Sequence, residues 1–339
     1  MRRVRCCAPP AIPLAEWLYE AGIGENRAIL VERGEIVEAA IELPAELRAG
    51  TVAQARLAKI LVPGRRGLAA LPGGTEVIVE PLPPTLSEGQ AIRIELVREA
   101  IAEPGRPKLA KARVSQRTPH PGPALFDRAG RPPLHGTLGP DRFEEAGWSE
   151  LLEEAATGEI AFRGGALRMS LTPAMTLFDV DGALPPAELA CAGAAAAARA
   201  IRRLGIGGSI GIDLPTLAGK SERQAAAAAL DAILPQPFER SGVNGFGFLQ
   251  IVRRRERPSI PEIVQGDPAG AAARALLRRA ERAPGAGERT IRAAPAVVAL
   301  LQRRTDWIEE LARRIGASVR LRAEPSLAIS GGDVQSVQN

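Results

Sequence analysis

Asp179 and Asp181 stand two residues apart in LTPAMTLFDVDG. On a β-strand that spacing sends both side chains off one face. Asp213 closes a second apolar run, GGSIGIDLP, and a helical crossover between the two runs sets it at the equivalent end of the neighbouring strand. Three carboxylates then meet at the carboxyl edge of the sheet, where open α/β sheets place ligands. Carboxylates crowded in this way repel one another unless a hard divalent cation neutralises them, and carboxylate plus water is a ligand set suited to Mg²⁺ or Mn²⁺. A cation held there would generate hydroxide and steady the charge that develops on a phosphate. The plainer reading is that each Asp only ends a strand or caps a helix. The second-strand Asp213 favours the metal reading, as does the run Arg253, Arg254, Arg255 and Arg257 at the end of a later strand, which would hold phosphates. The competing view of that run is a solvated, charged strand end.

The elements around these residues follow from periodicity. PPAELACAGAAAAARAIRRLG predicts a helix that starts near Pro185-Pro186 and closes at Gly205. Strand, helix and strand in succession make a βαβ unit with parallel strands. A further helix, SERQAAAAALDAIL, leads to the strand GFGFLQIVRRR. Upstream, residues 17–41 predict two or three short strands around an Arg33-Gly34 turn. Between 51 and 99, strand-like runs recur at about 8–12-residue spacing, which points to a small β-barrel. Residues 116–140 are crowded with Pro and Gly and read as a linker, followed by a short amphipathic helix in DRFEEAGWSELLEEAATGE. RALLRRAER and VVALLQRRTDWIEELARRIG are helical, with Trp307 and Leu311 at core spacing, before the strand SVRLRAE. The expected division is 1–47, opening strands; 48–115, barrel; 116–165, linker and helix; 166–264, metal-binding region; 265–330, helical part; and 331–339, a disordered tail.

Composition narrows the function classes. The 339 residues suffice for two domains of about 100–200 residues each, and no run approaches the roughly 18 apolar residues of a membrane helix. Of the 44 basic side chains 40 are Arg, and alanine, glycine and proline are abundant, a bias that a GC-rich genome would produce. The net charge of +5 is therefore a weak pointer to nucleic acid. Its excess sits in residues 253–339, with 16 basic against 10 acidic side chains. Cys6 and Cys7 are adjacent and Cys191 lies in an alanine-rich helix, so no disulfide framework is expected and the compartment reads as reducing cytoplasm. MRRVRCCAPPAIPLAEW has no apolar core of about 7–15 residues and makes a poor secretory signal. His120 and His135 lie in the Pro/Gly stretch with no partner cluster, and AGKSE lacks the glycine spacing of a phosphate loop around Lys220.

LTPAMTLFDVDG, AAARAIRRLGIGG, SIGIDLP and GFGFLQIVRRRERPSI together resemble the catalytic region of the ribonuclease E/G family. That family has a strand T-x-x-x-T-x-x-D-V-N, a helix ending A-R-x-x-R-x-x-x-G-G, a strand I-V-I-D-F and a later strand F-G-L-x-E-x-x-R-x-R-x-x-S-L. EGQAIRIELVREAIAEPGRPKLAKARV resembles the end of its OB-fold RNA-binding insert, and ENRAILVERGEIVEAAIE its opening strands. The resemblance implies an α/β fold, with a mixed, parallel-containing catalytic sheet and a small OB-fold-like barrel near the N-terminus. It implies metal binding by Asp179 and Asp213, and RNA contacts from Arg253, Arg255 and Arg257 on the strand end and from Arg98 and Lys108 in the insert. Asp181 stands where the family has an Asn that orients the hydrolytic water.

Departures from the pattern are equally specific. Only residues 116–175 separate the barrel from the DVD block, so the family's pocket for an RNA 5′-monophosphate is expected to be absent or reduced. No cysteine follows Cys191, so the family's CPxCxG zinc link is missing and any oligomer is not zinc-linked. The barrel segment has no aromatic residue on which bases would stack, so RNA affinity should lean on Arg and fall steeply with salt. The expected function is a Mg²⁺-dependent cytoplasmic endoribonuclease (Mn²⁺ an alternative, no zinc) that cuts single-stranded RNA to 5′-phosphate and 3′-hydroxyl ends. The alternatives are a catalytically weak RNA-binding protein of the same fold and a module whose basic C-terminal helices contact a protein.

Overall fold

Short runs rich in apolar residues fold as an antiparallel meander of β1 (Glu16–Ala21), β2 (Asn26–Glu32) and β3 (Glu35–Glu42). Arg33 and Gly34 join β2 to β3 with φ of 53° and 86°, the two positive values that a tight hairpin with the right twist requires. The computed structural model describes residues 15–44, 47–103, 107–136, 139–285 and 287–336. Cys6, Cys7 and residues 1–14 of the segment read as a poor secretory signal lie outside them.

The recurrent short strands form a closed barrel of β4 (Val52–Val62), β5 (Arg66–Ala70), β6 (Glu76–Val79), β7 (Ala91–Arg98) and β8 (Ala110–Val114). Its strand order is β4-β5-β6-β8-β7, with β7 closing on β4 and β6 parallel to β8. Leu57, Val77, Val79, Ile94 and Leu96 fill the interior. Closure removes the exposed edges that such short strands would otherwise present.

Residues 116–140 are not a free linker. Helical turn α1 (Leu125–Arg128) packs Leu125 and Ala129 on Tyr19 and Ala28, while His120 bridges to Val52 and Leu134 to Tyr19. Pro and Gly erase periodicity here without removing the apolar anchors. Then α2 (Arg142–Glu145) and α3 (Trp148–Thr157) bury Phe143, Trp148 and Leu151 in the main core.

The central sheet is mixed, in the order β13-β14-β12-β11-β10-β9. In chain order its members are β9 (Glu159–Phe162), β10 (Gly165–Leu171), β11 (Thr176–Gly182), β12 (Gly208–Asp213), β13 (Glu239–Arg240) and β14 (Phe248–Arg253). β11 crosses through α4 (Pro186–Arg203) into parallel β12, as the βαβ pattern predicts, and α5 (Lys220–Asp231) packs on α4. The sheet's other side carries the exposed residues of β11 and β12.

The C-terminal part holds α6 (Ile260–Gly266), α7 (Pro268–Arg282), β15 (Arg289–Ala293), α8 (Pro295–Arg303), α9 (Thr305–Ile315), β16 (Val319–Ala323) and β17 (Asp333–Ser336). It is not simply helical, because β15 runs parallel to β16 and antiparallel to β17. The tail expected to be disordered from Gly331 therefore supplies an edge strand, whose polar residues gave no periodic signal. Trp307 and Leu311 are buried, in line with their spacing. No helix among the described residues is long and apolar enough to cross a membrane.

A buried ionic network ties the opening hairpin to α7. Arg27 contacts Glu20 and, at 3.0 Å, Glu25; Arg274 Nε donates to Glu25 at 2.9 Å, Arg278 Nε to Glu20 at 3.0 Å and Arg282 Nη2 to Glu20 at 2.8 Å. Burial pushes the Glu20 carboxyl up, but Arg27, Arg278 and Arg282 outweigh it and hold the group below its usual range. Removing one partner of such a pair strands the others in low dielectric. Glu20→Gln should therefore lower folding stability by about 3–5 kcal/mol in urea titrations. A loss below about 1 kcal/mol would mean that the network contributes no more than exposed pairs do.

Candidate active site

Placement of the aspartates begins with a four-residue turn. Thr172 Oγ1 accepts from Met175 N at 3.0 Å, which fixes the β10–β11 hairpin and pairs Arg168 with Asp179 and Ala166 with Asp181. Along β11, Phe178 and Val180 point into the core while Asp179 and Asp181 are exposed on the opposite face. The α4 crossover then sets the register of β12. Gly193 of α4 lies so close to β11 that a Cβ there would sit 2.4 Å from Val180, and the buried alanines around it let the helix lie flat. Gly205, at φ 66°, ends α4 in the left-handed conformation.

The outcome is a direct parallel pairing of Asp179 with Asp213, both exposed and on one face, with backbones about 4.8 Å apart. The expected convergence of three carboxylates is corrected to a pair. Among the described residues no group of three or more His, Cys, Asp or Glu side chains is arranged to hold a metal. Asp181 lies two residues further along, about 7 Å, and has Arg168 Nη1 at 4.0 Å. Arg168 Nε also donates to Glu159 at 3.1 Å, and this bond, with the charges of Glu159, Asp181 and Asp179, holds the guanidinium above its ordinary pKa. Two carboxylates fit Mg²⁺, which keeps several waters and commonly takes one or two carboxylates together with substrate phosphates.

At the other end of β11 and β12 a cavity of about 790 Å³ opens between the barrel and the sheet. Arg66, Arg98, Lys108, Lys111 and Arg255 line it, against Glu80, Glu103 and Glu262. Arg98 donates to Leu109 O at 2.6 Å; burial pulls its pKa down, and the charge of Arg255 adds to this. Lys108 pairs with Glu103 and reaches Pro173 O at 3.3 Å. Ser209, on the same face of β12 as Asp213, also lines the cavity, and the open face runs from it to Asp213 over about 13 Å.

Arg253, Arg255 and Arg257 fall elsewhere than the sequence suggests. β14 runs antiparallel to β12, so Phe248 lies opposite Asp213 and Arg253 opposite Gly208, about 17 Å down the strand. These side chains do not flank a phosphate held at Asp179 and Asp213. Arg253 Nη1 donates to Ile206 O at 3.0 Å, and burial lowers its pKa. Arg255 pairs with Glu262 and with Glu103 at 3.5 Å, and Arg257 with Glu99 at 3.5 Å. With Glu99 N donating to Glu256 O at 2.8 Å, the run joins strand β14 to the barrel.

Sequence reading missed Arg168, Arg66, Lys111 and the two phenylalanines beside Asp213, Phe246 and Phe248. Arg168 is recoverable by counting outwards from the turn at 172–175; the others depend on barrel closure or on β14's direction. No protein-family model matches the chain, and no curated protein matches it.

Glu80 gives the cavity an acid-sensitive anchor. Hydrogen bonding from Lys111 and Arg66, against a smaller opposing effect of burial, lowers its pKa to about 2. The unfolded chain binds the proton more readily, so this contribution is complete above about pH 4.5 and is lost as pH falls towards 2. Glu80→Gln should flatten the fall in barrel stability across that window, as read by thermal melts at stepped pH; an unchanged profile would remove the assignment.

Proposed function

We propose that the protein is a Mg²⁺-dependent endoribonuclease that cuts single-stranded RNA to 5′-phosphate and 3′-hydroxyl ends in the cytoplasm, as its resemblance to the ribonuclease E/G family implies. The observation that carries the reading is the exposed Asp179–Asp213 pair on a face continuous with a basic cavity. The barrel supports it too. Its first strand pairs with its second and fourth, and its third runs parallel to its fifth, as in an OB-fold. OB-folds bind oligonucleotides on the face of strands two and three and on the loop between strands four and five. Here those parts supply Arg66, Ile78, Lys108 and Pro107 to the cavity.

Asp179 and Asp213 would hold Mg²⁺, which when bound supplies Lewis-acid stabilisation of the phosphate and lowers the pKa of water. Asp181 accepts the proton of the attacking water and Arg168 orients its carboxylate. The water oxygen bonds to phosphorus, the P–O3′ bond breaks, and the 3′-oxygen leaves as a hydroxyl after taking a proton from solvent. Arg66, Arg98, Lys108 and Lys111 hold phosphates upstream or downstream of the cut. Arg253, Arg255 and Arg257 act further along the strand, with Arg255 at the cavity wall.

One observation favours the second reading, a catalytically weak RNA-binding protein: Asp181 replaces the family's Asn and has Arg168 beside it. Cleavage separates the two. Asp213→Asn should abolish Mg²⁺-dependent cleavage of a single-stranded RNA, a loss of at least about 100-fold, while affinity in chelator stays within about twofold. Binding that weakens steeply with salt but yields no Mg²⁺-dependent product from the wild type would establish the second reading.

A further inference from the structure

Of the aromatic residues, all of which are among those described, Phe246 is the one that is exposed, at 85%. Folding does not account for it. The ring sits on the turn 244–247, which its own polar groups already hold: Asn244 Oδ1 accepts from Phe246 N at 2.9 Å and from Phe248 N at 3.0 Å, and Gly247 N donates to Asn244 O at 3.2 Å. Gly247, at φ 91°, could carry no Cβ, which would lie 2.1 Å from Leu214 O. None of these bonds uses the phenyl ring, and leaving it in water forgoes the stabilisation that burial of an apolar side chain brings.

The turn is bonded to the candidate active site. Leu214, the residue after Asp213, donates its N–H to Gly247 O at 3.2 Å, and Phe248 lies directly across from Asp213. Phe248 turns its ring along the open face and covers Gly211, where a Cβ would meet its Cζ at 2.5 Å. The Asp179–Asp213 pair is thus bordered by an apolar patch in Phe248 and a projecting aromatic in Phe246, both on the side away from the barrel cavity's wall of basic residues.

We propose that Phe246 is a base-stacking platform for the nucleotide next to the phosphate held at Asp179 and Asp213. The proposal rests on the RNA reading above and deepens it. A base offers the flat, sequence-tolerant π-face that an exposed phenyl ring complements. A phosphate chain that leaves the basic cavity along the open face reaches this ring immediately after passing the carboxylates. The stack would fix the register of the strand by a contact that the barrel, which has no aromatic residue, does not make.

The test measures affinity of a short single-stranded RNA in chelator and cleavage in Mg²⁺ for the full chain, Phe246→Ala and Phe246→Trp. Phe246→Ala should weaken binding by roughly 5- to 100-fold with an unchanged salt slope, since stacking releases no counterions. Phe246→Trp should restore it. An RNA with one abasic ribose beside the cut should bind the wild type as weakly as intact RNA binds Phe246→Ala, with no further loss when the two are combined. Equal affinity and equal cleavage with Ala at this position overturn the stack and leave the endonuclease reading intact. Phe246-dependent binding without any Mg²⁺-dependent product supports the stack and removes the endonuclease reading. No RNA affinity at low salt, or a changed mass in solution with unchanged RNA affinity, overturns the stack in favour of a protein contact.

Discussion

The parallel register between β11 and β12 governs what this protein's open face offers. Pairing Asp179 with Asp213 requires the crossover helix to lie flat and close on the inner face, and that closeness depends on small side chains. Gly193 meets Val180, and Gly165 and Gly182 leave room for Leu189 at the start of the helix. Bulk at any of these points would lift α4 or shift it along its axis. A shift by one residue in β12 would turn Asp213 into the core and bring Ile212 out, because side-chain direction alternates along a strand. The chemistry of the face and the packing of the helix are thus one constraint.

Arginine serves this fold mainly as a joint. Arg27, Arg274, Arg278 and Arg282 bind the opening hairpin to α7 through Glu20 and Glu25, with all but Arg282's side chain at or below 5% exposure. Arg255 and Arg257 do comparable work between the central sheet and the barrel through Glu103, Glu262 and Glu99. A guanidinium suits such places because it offers several donors in a rigid fork and is weakly hydrated. The positive charge of the C-terminal region is therefore largely paired within the protein. Around the cavity Arg66, Arg98, Lys108, Lys111 and Arg255 outnumber the carboxylates Glu80, Glu103 and Glu262.

Much of the site could be read from spacing. Asp179 and Asp181 share a face because a strand repeats every two residues, and Asp213 joins them because a helix between two strands makes them parallel. The short strands of the barrel and the helical periods were visible for the same reason: each depends on neighbours in sequence. Arg253 was misread because a strand gives no sign of its direction within a sheet, and β14 enters antiparallel. The C-terminal edge strand was missed because polar residues at a sheet edge need only backbone partners, which composition does not encode.

The sequence by itself determined the elements with a clear period, the alternation that puts two aspartates on one face, and the crossover that brings in a third, since these follow from local sterics and chain connectivity. Only the tertiary structure decided that two carboxylates pair while Asp181 faces Arg168, that the arginine run lies at the opposite end of the sheet, and that the one exposed aromatic stands beside Asp213. Those outcomes depend on strand direction and on contacts between residues far apart in the chain, where the physical selection is made by packing and charge pairing rather than by local preference.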